Sequence, residues 1–241
     1  MLRRMSRLRR LLTARRPPLG PPPDLQRIWR GLGTARTAHT IVRDDHNRDT
    51  VLRILGVTDF ANDLERSVET IEDGCMDILR IGTEIYYRPP GTEPCGAGPR
   101  ATGERWIWAD SLPGCTNHGL HPAITMIERL GRLRSVTPEK RDGERLRRHV
   151  FLLRPSAQQE DPMAAELHRY LELHSTDQMT WELWLTADDR PWRVRSRVIT
   201  PRSWRTPQGL ISMTSEHWDF GIPDRLTRPS PEDIPPRPSE A

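Results

Sequence analysis

The residues with the clearest capacity for chemistry lie in one short run, CTNHGLH at residues 115–121, which sets Cys115, His118 and His121 at intervals of three. A thiolate and two imidazoles suit zinc or copper, and such spacing just ahead of a helix lets them share one ion. A fourth ligand is not nearby, and Cys95 would have to fold back to provide it. The competing reading is a polar loop with His121 close to a helix start; it needs no such closure and is the better of the two. Cys95 and Cys115 also bracket a tryptophan-bearing strand, so a disulfide between them would staple the loops on either side and contribute on the order of 3 kcal/mol in an oxidising compartment. The alternative is free thiols, with Cys75 the one buried in a strand. Three cysteines exclude a full disulfide framework.

Patterns for catalysis are absent. There is no Gly-x-Ser-x-Gly elbow and no phosphate loop ending in Gly-Lys-Ser/Thr. Gly31-Leu-Gly33 follows a helix pattern rather than a strand, and Lys140, the lone lysine, sits in a charged turn. Asp44, Asp45 and Asp49 around His46 read as ordinary turn chemistry. The residues therefore point to no enzyme and to no cofactor.

The elements that must position side chains are short strands with a few helices. Residues 24–39 predict a helix capped by Asp24, with Leu25, Ile28, Trp29 and Leu32 on one side. Strand patterns follow at 39–43, 50–57, 66–72, 76–81, 83–88 and 104–110, separated by Asp, Asn and Gly clusters. A helix over 121–133 has Pro122 in its first turn and Ile124, Ile127 and Leu130 on its apolar stripe. A strand over 145–153 and a helix over 161–174, capped by Asp161, come next. Three strands close the order between residues 179 and 222. Many antiparallel strands with inserted helices argue for an α+β domain with one large sheet.

The last three strands carry the sharpest pattern. Trp181, Leu183 and Leu185 share one parity; after the ADDRP turn, Trp192, Val194 and Val198 share another against Arg193, Arg195 and Arg197. This is period-two alternation with one buried face, and the arginine row marks a solvated convex side, not a nucleic-acid patch. Eight tryptophans are many for 241 residues. Trp106, Trp108 and Trp184 cannot all avoid water unless both sides of the sheet are covered.

The ends differ from the body. Residues 1–16 hold seven arginines and no acid, which leaves the remainder net negative although the whole chain is +4. This basic arm, residues 1–23, ends in the proline run RPPLGPPP and reads as a solvated tail, with contact to an acidic membrane surface as the sharper alternative. Residues 24–228 then form a single domain, and the proline-rich residues 229–241 an extended tail whose first half covers a sheet edge. No run is apolar enough to span a bilayer and no secretory segment is legible, so the direct expectation is a cytoplasmic protein, or a cell-envelope protein if an export segment precedes Met1.

Taken in order, IGTEIYYRPPG, ERWIWAD, HPAITMIERL, DGERLRRHVFLL, TWELWLTADDRPWRVRS and SEHWDFGIPDRLTRPSPEDIP resemble the corresponding segments of the LolA-like, LppX-type lipoprotein family of actinobacteria, over about residues 24–229. The resemblance implies an antiparallel sheet curved into an incomplete barrel, helices packed on its concave side, and an apolar cavity between them that holds a lipid or a lipidated partner without catalysis. On that reading Trp181, Leu183, Leu185, Trp192, Val194 and Val198 line the cavity, with Ile124, Ile127 and Leu130 opposite. The chain shows neither the family's export segment nor its lipid-modified cysteine. Two alternatives remain: a partner-binding protein of the same fold without a cavity, and a metal-binding protein using Cys115, His118 and His121.

Overall fold

The computed structural model describes residues 22–47, 49–71, 74–82, 84–88, 106–108, 120–156, 160–201, 208–223, 226–230 and 232–234. In chain order the elements are α1 (Leu25–Ala35), β1 (Thr37–His46), β2 (Asp49–Asp59), β3 (Leu64–Ile71), β4 (Gly74–Ile81), β5 (Glu84–Arg88), β6 (Ile107–Trp108), α2 (Leu120–Leu130), β7 (Gly131–Arg141), β8 (Glu144–Leu153), α3 (Pro162–Leu173), β9 (Met179–Leu185), β10 (Pro191–Thr200) and β11 (Gly209–Trp218). The strands form one sheet in the order β6-β5-β4-β3-β2-β1-β11-β10-β9-β8-β7. Each half is a meander, and the first strand pairs antiparallel with the last, Thr40 opposite His217 and Val42 opposite Ser215. β6 and β7 end the sheet without meeting, so it is an incomplete barrel.

Local signals set most boundaries. Asp24 accepts from the Arg27 backbone N–H (3.0 Å) and Asp161 from that of Met163 (2.9 Å), each satisfying an orphan donor of a first turn. α2 passes into β7 without a loop, because Gly131 sits where a Cβ would lie 2.5 Å from the Ile127 carbonyl oxygen. β7 and β8 are joined through Asp142 (φ 50) and Gly143 (φ 87), the positive-φ pair of a tight hairpin.

β7 corrects the sequence reading, which ended a helix at residue 133 and placed Lys140 in a turn. Its RLRSVTPEKR run is charged and contains Pro138, and it forms an edge strand. Charges and proline there keep a free edge from pairing with other chains.

All three helices pack on one side of the sheet, over β8–β10. Ile28 and Leu32 of α1, Leu120, Ile124 and Ile127 of α2, and Leu167 and Leu171 of α3 meet Phe151, Leu153, Met179, Trp181, Leu183, Val194 and Val198 in one cluster. A second cluster of Leu64, Leu79, Ile81, Tyr86 and Trp106 lies on the opposite face of β3–β6 by register, and Leu226 and Ile234 pack against it. The Trp106 backbone N–H donates to the Asp233 carbonyl (3.3 Å), so the start of the proline-rich tail runs along the β6 edge. No helix among the described residues is long and apolar enough to cross a membrane.

Candidate functional site

The residues expected to line a cavity are mostly core. Trp181, Leu183, Leu185, Val194, Val198, Ile124 and Ile127 are each no more than 5% exposed and pack against one another in the helix-covered cluster. Leu130 is half-buried at its margin. Trp192 is absent from it: the pairing of β9 and β10 shifts register between Pro191 and Arg193, and the Arg193 guanidinium lies 4.6 Å from the Trp192 ring. A one-residue irregularity breaks the alternation on which its placement with Val194 and Val198 depended.

The arginine row is not simply solvated. Glu182, its side chain 1% exposed, is bonded by Arg148 and Arg195, with Arg197 at 3.9 Å. Trp184, fully buried on this outer face, lies beneath the guanidinium groups of Arg141, Arg148, Arg193 and Arg195, 5.2–5.8 Å from its ring. Its indole N–H donates to Glu139 (2.9 Å). Burial pushes the Glu139 carboxyl up, but that hydrogen bond and the charges of Arg148 and Arg141 outweigh it and hold the group below the usual carboxylate range. Cation–π contacts and shared carboxylates thus roof a tryptophan that no other layer among the described residues covers.

Among the metal candidates, His121, in the first turn of α2, lies 4.6 Å from the Trp29 ring with the two planes tilted. Cys95, Cys115 and His118 lie outside the described residues. No group of three His, Cys, Asp or Glu among the described residues is arranged to hold a metal ion. Cys75 is disulfide-bonded. Cys75 is therefore not a free thiol, and the bridge expected between Cys95 and Cys115 lies outside the described residues. Thiol titration of the denatured, unreduced protein should give one reactive cysteine, and three after reduction; three without reductant would contradict the bond.

The other half of the same face lies outside the helix-packed cluster. The register carries one row from Leu183 through Val194, Ser215, Val42, Ile54 and Glu69 to Met76. The next runs from His217 through Thr40, Gly56, Ser67, Ile78 and Tyr87 to Ile107, and a third from Thr58 through Glu65 and Arg80 to Ile85. Met76, Ile78, Ile85 and Tyr87 are half-buried and Ile107 is 41% exposed; none belongs to either core cluster. Glu69 stands among them, and burial raises its carboxyl pKa.

A polar seam separates the halves. The Thr40 hydroxyl lies 2.9 Å from that of Thr58 and 3.0 Å from His217 Nδ1, while His217 Nε2 lies 2.9 Å from the Ser215 hydroxyl. Burial pushes the His217 imidazole down to about 3. Ser215 and His217 are 2% and 1% exposed, so this hydroxyl–imidazole pair is part of the buried interior of the fold. At the far end Arg80 is held by Asp63 (2.6 Å), Glu65 (3.5 Å) and the Gly82 carbonyl (2.8 Å). Chemically this half-face can bury hydrocarbon and offer a few polar contacts.

The sequence reading missed these residues. A signal was present: Met76, Ile78 and Arg80 share one parity, as do Ile85 and Tyr87, but Asp77, Leu79 and Ile81 mix polarity on the other side, where the second cluster packs.

No family model matches the chain, and no curated protein matches it. Among solved structures it is similar to the Mycobacterium tuberculosis lipoprotein LppX, at 13% identity and a TM-score of 0.49, over 84% of this chain and 97% of that one. It is similar also to LprF from Mycobacterium bovis, at 9% identity and a TM-score of 0.42, over 85% and 94%. A putative outer membrane lipoprotein-sorting protein domain from Vibrio parahaemolyticus gives 11% identity and a TM-score of 0.31, over 83% and 93%.

Proposed function

We propose that the protein is a non-enzymatic binding protein that holds an apolar, lipid-like ligand on the helix side of β2–β6. The observation that carries this reading is the apolar stretch of Met76, Ile78, Ile85, Tyr87 and Ile107, which shares a face with the helix-packed core yet lies outside it. Covering about 300 Å² of hydrocarbon there would contribute roughly 7 kcal/mol before the costs of association. The sequence resemblance to LolA-like, LppX-type proteins points the same way. The disulfide at Cys75 favours an oxidising compartment, hence the cell envelope over the cytoplasm.

The test is binding of a long-chain fluorescent hydrocarbon to delipidated protein. Saturable one-to-one binding is expected, weakened at least tenfold by Ile78→Lys and unchanged by Ile199→Lys, a residue 50% exposed on the outer face. Equal effects of the two substitutions, or no saturable binding, would sink this reading and leave the partner-binding alternative.

A further inference from the structure

Arg80 holds a donor that the fold does not use. A guanidinium has five N–H groups. In Arg80, Nη1 donates to Asp63 and to the Gly82 carbonyl and Nε to Glu65, but Nη2 is buried without a partner among the described residues. The side chain is 5% exposed, so water does not take the place of the missing acceptor. A buried N–H left unpaired forfeits the hydrogen bond it made in the unfolded chain, and an oxygen brought in by a ligand would restore it.

The position and the charge balance define that oxygen. Arg80 lies two residues from Ile78 on the same face of β4 and opposite Ile85 on β5, so it borders the apolar half-face directly. Two carboxylates, Asp63 and Glu65, already surround this one cation. The site has no cationic excess to offer an anionic headgroup, whose charge would add to an existing negative balance, whereas a neutral acceptor meets no such opposition.

We propose that Arg80 Nη2 is the polar anchor of the apolar site, donating to a neutral carbonyl or ester oxygen of a long-chain ligand whose hydrocarbon lies along Ile78 and Tyr87. This rests on the binding reading above and adds the ligand's class and orientation to it. Displacement titrations of the delipidated full chain with hexadecane, methyl palmitate and palmitate at pH 8 test it.

The ester is expected to bind about tenfold tighter than the hydrocarbon, and the carboxylate no tighter than the ester. Arg80→Lys keeps a cation for Asp63 and Glu65 but withdraws Nη2; it should cut the ester's advantage to twofold or less while hexadecane binds as before. An ester advantage that survives in Arg80→Lys, equal binding of ester and hydrocarbon by the parent, or a carboxylate that binds tightest would each overturn the anchor and leave apolar binding standing. Failure of all three probes to bind the parent overturns both. If Arg80→Lys does not fold, arginine-selective NMR of the parent gives the same decision: the Arg80 Nη resonances should move with methyl palmitate and not with hexadecane, and their not moving overturns the anchor.

Discussion

Replacing Glu182 with glutamine lowers the stability of the domain by about 3 kcal/mol, the low end of what breaking a buried ion pair costs. The carboxylate is 1% exposed and is the shared partner of Arg148, Arg195 and Arg197. Without its charge three cations converge on one neutral amide, and the roof over Trp184 loses the anchor that holds two of its guanidinium groups. The cost stays at the low end because these arginine side chains are 27–34% exposed and can turn toward water. Urea unfolding of parent and variant measures the effect, and a difference below about 0.5 kcal/mol would show that the network contributes nothing net. The double variant Glu182→Leu with Arg195→Leu should recover part of the loss, since removing both partners leaves less charge uncompensated than removing one.

Acid destabilises the protein through His217. In the unfolded chain this imidazole takes a proton near its ordinary 6.5, whereas in the fold burial holds it down to about 3. Between those values the unfolded state binds more protons than the folded one, so stability is fully present above about pH 6.5 and falls as pH drops toward 3. The loss amounts to about 2 kcal/mol at pH 5. Among the described residues, the groups that touch the ring are the hydroxyls of Thr40 and Ser215 and the Phe60 ring, none of which carries a charge to offset the proton. His149, lowered by burial and then by Arg147, acts in the same direction. His217→Gln, which can still give and accept a hydrogen bond, should unfold with a shallower pH dependence between 7 and 5. A dependence unchanged from the parent would mean that His217 is not the group responsible.

The tryptophans show where sequence logic holds and where it stops. Alternation puts Trp181 and Trp184 on opposite faces of β9, and both are buried. That requires two covered faces, a demand legible from the residues alone. What covers each face is not legible. Helices cover Trp181, a roof of arginines covers Trp184, and Arg88 at 4.4 Å together with the cluster that the C-terminal segment joins covers Trp106. A guanidinium that stacks on a ring and bonds a carboxylate looks, in sequence, the same as one in water.

The sequence by itself determined the element order apart from β7, the caps at Asp24 and Asp161, the hairpin of β9 and β10, and the antiparallel α+β class, because each follows from a local period or a local hydrogen bond. Only the tertiary structure decided which half of the sheet the helices fill. Parity assigns a residue to a face, but whether that face is packed or open depends on elements distant in the chain. So Leu183 and Val194 became core beneath α1–α3, while Ile78, Tyr87 and Arg80, in neighbouring rows of the same face, lie outside that cluster.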